Sequence, residues 1–487
     1  QKASEAAIVQ IISYVVRVDL LCPFVKESTE GRGSGAFIEG GKGLILTCFH
    51  VVENATKVMV QMPLYFGKRL IPASVVGVCP DYDIALLQLD PAVCAYIEKE
   101  YGSLPALSLG NSDDVYRSDQ LLGLGFPLGD ESLKSVTGVV SGTEHIISRS
   151  GLRFCNLYAI QVTTPLNPGS SGGIVLNEEG NVVGIATAGS AEAQSVGFVA
   201  PINHYKLLCK ELQKGGLVRK PSLGVAFCPA KDNEIAHYLG NPAPAGCYIT
   251  HVLQGGLGSK LGLQEGDMVY SLNGFVVDPY GCIQVGRIQD RRYVSDYLGS
   301  LSLGDDLVIG LYRKGEKVTL KGSLALTSEP AIRWNYFPYD NFDFEVIGGI
   351  VIQELSLNII ALFEHTQCGN QYPGVRARLL KYKEEMMRDK PALVVTQVFS
   401  GSVSYQARSF GMGTFITEVN GQKVSTLQEL REKIASLKDE SLVVFKSQEK
   451  ELLALPIAEC VQDETRLSQI FGYPITPAMR TLMQKIQ

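Results

Sequence analysis

The sequence predicts a mainly β protein of about three domains, and three observations carry that prediction. Short Val/Ile/Leu-rich runs recur along the chain between Gly, Asn-Gly and Pro punctuation, the pattern of sheets joined by tight turns, and 50 of the 487 residues are glycine. The length exceeds what one core organises, because single domains run about 100–200 residues. One pattern also occurs twice: an apolar strand, a Gly/Ser loop, a small-residue helix and a strand ending in Asn-Gly. Its copies run from Tyr248-Ile249-Thr250-His251-Val252 to Asn273-Gly274, and from Val394-Val395-Thr396-Gln397-Val398 to Asn420-Gly421. They read as two divergent α+β modules.

In chain order, residues 1–16 form an N-terminal segment. Its apolar stretch 6–16 is too short to span a bilayer and is expected to pack or to serve an oligomer contact. The first domain, 17–216, carries strands near 36–38, 44–46, 58–62, 74–78, 84–89, 136–140, 157–162 and 182–186. It closes on an amphipathic helix with Asn203 as expected N-cap, Tyr205, Leu208, Cys209 and Leu212 on one face, and Gly215-Gly216 as the stop. A Pro-containing connector leads to the second domain, 217–328, and the third follows at 329–458. The third is expected to hold an extra charged helix near 374–389, and the tail 459–487 a last helix near 477–485. Gln353, Glu354, Ser356 and Asn358 interrupt the longest apolar run, 346–363, so it is expected as a buried strand and helix rather than a membrane span.

Composition excludes several functions. The net charge is −6 and no Lys/Arg cluster is interleaved with aromatics, so nothing points to nucleic acid. The 11 cysteines are scattered, odd in number and never in a CxxC arrangement, which implies neither a metal site nor a disulfide framework. Buried structural thiols are expected, a lean toward a reducing compartment.

The chemistry concentrates at Asn167-Pro168-Gly169-Ser170-Ser171-Gly172-Gly173. Small flanking residues let a carbonyl approach Ser171 Oγ, and a tight backbone can aim the amides of Gly169 and Ser171 at a developing oxyanion. A plain Gly/Ser loop is the alternative for this stretch taken alone. A serine nucleophile needs a base held by a carboxylate. His50 follows the apolar strand 44–46 within Thr47-Cys48-Phe49-His50-Val51-Val52, and Asp83 opens another in Asp81-Tyr82-Asp83-Ile84-Ala85. Each alone would be an ordinary structural residue; together they form the order His, Asp, Ser of one class of serine hydrolases. His145 and His204 lack such a context and are expected to be structural.

With these residues in place, Gly33-Ser34-Gly35-Ala36-Phe37-Ile38, Thr47 to Val52, Asp83 to Leu87 and Gly169 to Gly173 resemble the HtrA/DegP (Deg) family of serine proteases. Leu124 to Gly129, Val136 to Ser141 and Val183 to Thr187 extend the resemblance. It implies a trypsin-like double β-barrel followed by two PDZ-like domains, with His50, Asp83 and Ser171 catalytic and no cofactor. It also implies that strand 186–188, Ala186, Thr187 and Ala188, pairs with an extended substrate beside a small apolar S1 pocket, that unfolded proteins are the substrates, and that the protein forms homo-oligomers built on trimers. Ser222-Leu223-Gly224-Val225 resembles a PDZ loop that holds a peptide C-terminus. In the second module Gly348-Gly349-Ile350 stands at the matching place, whereas Gly411-Met412-Gly413-Thr414 replaces the usual Gly-Asp pair. That module and the ending 475–479 look most like plant-type Deg proteases; by the same resemblance, the bacterial periplasm is the alternative compartment. Ser170, Ile174 and Thr163 stand where the family favours Asn, Pro and Asp. These departures motivate the competing expectation of a weakly catalytic PDZ scaffold or chaperone; an esterase using the same triad is the third.

Overall fold

The computed structural model describes the chain apart from residues 1, 40–41, 130–131, 151–152, 165, 190–195, 230–232, 239, 241–245, 286–290, 327–328, 367–369, 438–441 and 487. Cys368 therefore lies outside the described residues. The chain divides into two compact units, residues 1–15 with 29–328 and residues 16–28 with 329–487.

The first unit holds two six-stranded barrels. One is built from β1 (Ile8–Val18), β2 (Lys26–Ile38), β3 (Leu44–Thr47), β4 (Ala55–Gln61), β5 (Leu70–Cys79) and β6 (Ile84–Leu89), closed by pairing of β5 with β6. β1, β3 and β6 are β-branched and aliphatic runs whose side chains fill the ring; Ile11, Ile45, Leu46 and Ile84 are fully buried. The expected N-terminal segment, as far as residue 15, packs within this unit. Ile8, Val9 and Ile11 are core side chains of β1, and their burial is what places the strand.

The second barrel comprises β7 (Gln120–Gly125), β8 (Lys134–Ser150), β9 (Arg153–Val162), β10 (Ile174–Leu176), β11 (Val182–Gly189) and β12 (Gly197–Pro201), closed in the order β10-β11-β12-β9-β8-β7. Leu121, Val140, Ile160, Val162, Val183 and Val199 form its core. The helix Ile202–Lys214 follows, burying Tyr205, Leu208 and Leu212 and stopping at Gly215 with φ 98°. Asn203 is not its N-cap: Pro201 holds that position, and the Asn203 amide instead donates to Asn111 and Asp113 at 2.7 and 3.1 Å. Beyond it β13 (Gly216–Leu217) pairs in parallel with β5.

The first of the two repeated modules contributes β14 (Val225–Pro229), β15 (Cys247–Val252), β16 (Met268–Leu272), β17 (Phe275–Val276), β18 (Cys282–Gln284), β19 (Arg291–Tyr293), β20 (Asp306–Arg313) and β21 (Glu316–Ser323). The sheet order is β14-β15-β16-β20-β21, which puts β14 at an edge.

In the second unit β22 (Glu345–Ile347), β23 (Ile350–Glu354), β24 (Leu393–Val398), β25 (Phe415–Val419), β26 (Gln422–Lys423), β27 (Leu442–Ser447) and β28 (Leu452–Pro456) form a sheet in the order β22-β23-β24-β25-β27-β28. Gly348 and Gly349 have φ 55° and 91°, the two successive positive values that a two-residue hairpin turn needs. They join β22 to β23 in the register Glu345↔Ile352, Val346↔Val351, Ile347↔Ile350. The stretch that resembles a ligand loop is therefore a hairpin turn, and β22 already occupies the edge of β23. The expected charged helix is shorter than 374–389, spanning Pro373–Leu380 before two 3-10 turns. The C-terminal residues are not a tail: helices Ile457–Phe471 and Pro477–Ile486 bury Cys460, Val461, Met479 and Leu482 against the sheet. Residues 16–28 pack within this unit, where the Leu20 and Leu21 carbonyls accept from Gln353 and Thr396 at 2.9 Å each.

Candidate active site

The first barrel presents two of the three expected residues. After β3 the single helical turn Phe49–Val52 buries Phe49, Val51 and Val52, which pins the turn and leaves the His50 side chain 24% exposed. Asp83 follows the turn Pro80–Tyr82 in a left-handed conformation, φ 56° and ψ 43°, a backbone region that Asp tolerates better than most residues. Its carboxylate is 1% exposed. Asp83 Oδ1 accepts from the His50 amide at 2.9 Å, and Oδ2 lies 2.7 Å from His50 Nδ1. A carboxylate only accepts, so Nδ1 carries a proton, and in the neutral imidazole Nε2 is then the acceptor.

The second barrel supplies the serine between β9 and β10. Its loop is tied down on both sides. The Gly172 amide donates to the Ala186 carbonyl and the Ala186 amide to the Gly173 carbonyl, both at 2.8 Å, while Ser170 N donates to Asn167 O at 3.0 Å. Gly172 has φ 82°, and a Cβ there would lie 2.1 Å from the Ser34 carbonyl. Ser171 Oγ donates to the Thr187 carbonyl at 3.4 Å.

Two residues without an expected catalytic part organise this arrangement. Thr187 Oγ1 donates to Asp83 Oδ2 at 2.6 Å, so its side chain positions the carboxylate. Fully buried Ser34 takes the Phe126 amide on its Oγ, donates that hydroxyl to the Gly169 carbonyl and gives its own amide to the Ser171 carbonyl, each at 2.8 Å. The only sequence signal for Ser34 was its place in Gly33-Ser34-Gly35.

Ala186 is corrected as a substrate-pairing residue, because the nucleophile loop engages both its amide and its carbonyl. Thr187 and Ala188 continue β11, with the Ala188 side chain outside the described residues. A cavity of about 80 Å3 lies beside the loop, lined by Leu124, Thr164, Leu166, Asn167, Ser170 and Ala186 among others. At the departing positions, Ile174 is a buried strand residue of β10 and Thr163 Oγ1 accepts from the Val139 amide at 2.9 Å.

Cys48 Sγ lies with the His50 and Asp83 donor atoms inside 4.8 Å. Burial and the Asp83 charge push its thiol well above the usual range, it donates to the Ala186 carbonyl at 3.3 Å, and His50 Nδ1 is engaged by Asp83. This donor set is organised as a hydrogen-bond network rather than as a vacant metal cage. His204 stacks on Tyr82 at 4.1 Å, and burial lowers its pKa to about 3, so it is neutral and structural. His145 Nε2 lies 2.8 Å from Asp296 Oδ2.

Downstream, Ser222 to Val225 lead into edge strand β14. Leu223 and Gly224 give their carbonyls to the amides of Gly258 and Leu253, at 2.6 and 2.8 Å. The Gly224 amide donates to Ser222 Oγ at 3.0 Å. Among the described residues no helix is long and apolar enough to cross a membrane.

Comparison with known proteins agrees with this fold. Residues 33–185 match the trypsin-like peptidase domain family and residues 338–474 the PDZ domain family. The chain is 30% identical over 305 residues to the periplasmic serine endoprotease DegP of Salmonella typhimurium, an alignment covering 62% of this chain and 58% of that protein. To the serine protease Do-like HtrA of Bacillus subtilis it is 30% identical, covering 61% and 64%. A probable periplasmic DegP-like endoprotease of Chlamydia muridarum is 27% identical over 86% of this chain and 72% of its own length. The chain thus spans less than two thirds of the first two relatives. A solved variant of the HtrA-type protease AlgW with a decapeptide aligns with TM-score 0.51 at 24% identity, covering 68% of this chain and 96% of that one, which supports the fold.

Proposed function

We propose that this chain, whose residues 33–185 match the trypsin-like peptidase domain family and 338–474 the PDZ domain family and which is 30% identical to DegP and HtrA proteases over the aligned part, is a serine endopeptidase of the HtrA/DegP family acting on unfolded or damaged proteins. The observation that carries this is the Asp83–His50 pair, with Nδ1 protonated at 2.7 Å from the carboxylate, in the same unit as a serine on a glycine-rich turn. His50 Nε2 would take the Ser171 proton as Oγ attacks a peptide carbonyl, and return it to the leaving amine. Asp83 holds the tautomer and offsets the imidazolium charge. The oxyanion would rest on the amides of Gly169 and Ser171, where one donor is typically worth about 10²–10³ in rate, and water would then hydrolyse the acyl-enzyme.

The small apolar cavity beside Ser170 favours Val, Ala or similar residues before the cut, and an extended substrate would pair with β11 from Thr187 onward. Edge strand β14 and the Ser222–Val225 loop would take peptide C-termini; a bound carboxylate would compete with Ser222 Oγ for the Gly224 amide. We propose three domains, with the sequence-derived bounds 17–216, 217–328 and 329–458 amended so that residues 1–15 join the first and residues 16–28 and 459–487 the third, a plant-type Deg affinity, and trimer-based oligomers. The test is digestion of β-casein by the wild type and by Ser171→Ala, with cut sites read by mass spectrometry. Cleavage after small aliphatic residues that the mutation abolishes is expected. Equal behaviour of the two, with intact casein, would favour the scaffold or chaperone reading.

A further inference from the structure

The second unit buries two carboxylates, of which one is paired with a cation. Glu345 of β22 and Glu464 of the Ile457–Phe471 helix are both fully buried. Glu345 is held by Arg431 Nε at 2.9 Å and by the Thr476 hydroxyl. Arg431, from the helix Leu427–Ser436, also forks onto Asp343 at 2.6 and 2.8 Å. Glu464 receives only the Tyr473 hydroxyl, at 3.0 Å, and its second oxygen has no hydrogen-bond partner among the described residues. The charged neighbours on its own helix, Asp463 and Arg466, pair with each other. Among the described residues Glu464 therefore bonds only Tyr473 and feels the negative charge of Glu345, while the Arg431 guanidinium is committed to Glu345 and Asp343. An unpaired buried carboxylate is costly in its charged form and tolerable when protonated.

The strand that carries Glu345 is the one covering a sheet edge. β22 is three residues long, is joined to β23 by a two-glycine turn, and is anchored by the Glu345–Arg431 bond and by Val346 packing with Leu467 and Tyr473. Without it β23 would present unpaired backbone groups to any extended chain, as in recognition by strand addition.

We propose that Glu464 is a proton-operated latch: while neutral it lets β22 lie on β23, and its ionisation drives β22 away and opens that edge to an extended peptide. Burial, then the charges of Glu345 and Asp463, push the Glu464 carboxyl up to about 7, with the Tyr473 hydrogen bond acting in the opposite direction. The closed form binds the proton more tightly than an open form with an ordinary carboxyl. Closure is therefore fully favoured below about pH 4.5 and loses ground as pH rises to about 7, levelling above it. The opening constant should rise roughly 300-fold in total across that window.

Hydrogen exchange of the full-length chain from pH 4.5 to 9, corrected for intrinsic rates, reads this directly. Wild-type protection of residues 345–352 should fall by roughly two orders of magnitude up to pH 7 and then level, while β27–β28 stay protected. Glu464→Gln should remove most of the pH-dependent fall, leaving the part that Glu345 contributes, since burial raises its carboxyl too. Tyr473→Phe, which deletes the donor favouring the charged form, should move the levelling point to higher pH and so decides the matter even if Glu464→Gln fails to fold. A labelled peptide copying residues 342–347 should bind wild type far better at pH 8 than at pH 5, and Glu464→Gln at neither. Parallel profiles for wild type and Glu464→Gln, a levelling point unmoved in Tyr473→Phe, or pH-independent peptide capture would overturn the proposal.

Discussion

Asp83 shows how much of the site rests on one hydroxyl. Its Oδ2 meets both His50 Nδ1, at 2.7 Å, and Thr187 Oγ1, at 2.6 Å, and hydrogen bonds to a buried charge are worth about 1.5–3 kcal/mol. Thr187→Val keeps the shape and the backbone carbonyl but deletes that donor. It should lower kcat roughly 10- to 100-fold with little change in KM, because the hydroxyl orients Asp83 while the backbone that would pair with substrate is kept. An unchanged kcat on a peptide substrate would remove Thr187 from the machinery. The sequence exposes His50, Asp83 and Ser171 because their chemistry needs uncommon residues in recognisable strand-and-turn settings. It hides Thr187 and Ser34, whose hydroxyls find partners 104 and 135 residues away, so only the closed barrels disclose what they hold.

Among elements, the loop between β9 and β10 is the most constrained. Gly172 combines φ 82° with a Cβ position 2.1 Å from the Ser34 carbonyl and 2.2 Å from Thr47 Oγ1. Gly102 has a similar φ, 89°, and open space around it. Gly102→Ala should therefore cost only the backbone strain, about 1 kcal/mol, whereas Gly172→Ala should cost on the order of 3 kcal/mol or more. Thermal melts should show the second lowering Tm by roughly 10 °C with proteolysis lost, and the first leaving activity intact; equal shifts would mean that the loop relaxes freely. Strand runs such as 84–89 were legible because a buried strand writes its burial into composition. Caps and turns were less so. Asn203 is a good N-cap type but is claimed by Asn111 and Asp113, and Gly348-Gly349 suits either a ligand loop or a tight hairpin until the pairing of β22 is known.

Across the whole molecule, sequence continuity misleads at residues 16–28. Local pattern assigns them to the first domain, yet they pack with 329–487. Phe24 lies 5.3 Å from the Phe344 ring and 5.7 Å from Tyr473, Cys22 and Phe24 join the cluster around Val346 and Phe399, and Leu21 joins the one around Leu355 and Phe363. A short insertion of this kind has no signature, because its apolar side chains look the same whichever core receives them. Removing residues 329–487 would strip these partners and also orphan the Leu20 and Leu21 carbonyls. At about 1.5–3 kcal/mol for each large side chain returned to water, the segment becomes a sticky surface. The shortened chain 1–328 should aggregate in light scattering and bind a hydrophobic dye, and the double substitution Leu21→Ser, Phe24→Ser should relieve both in that background. In the full-length chain the same pair should be destabilising, since there the side chains are core. A shortened chain as monodisperse and dye-silent as the full-length protein would show that residues 16–28 need no cover from the second unit.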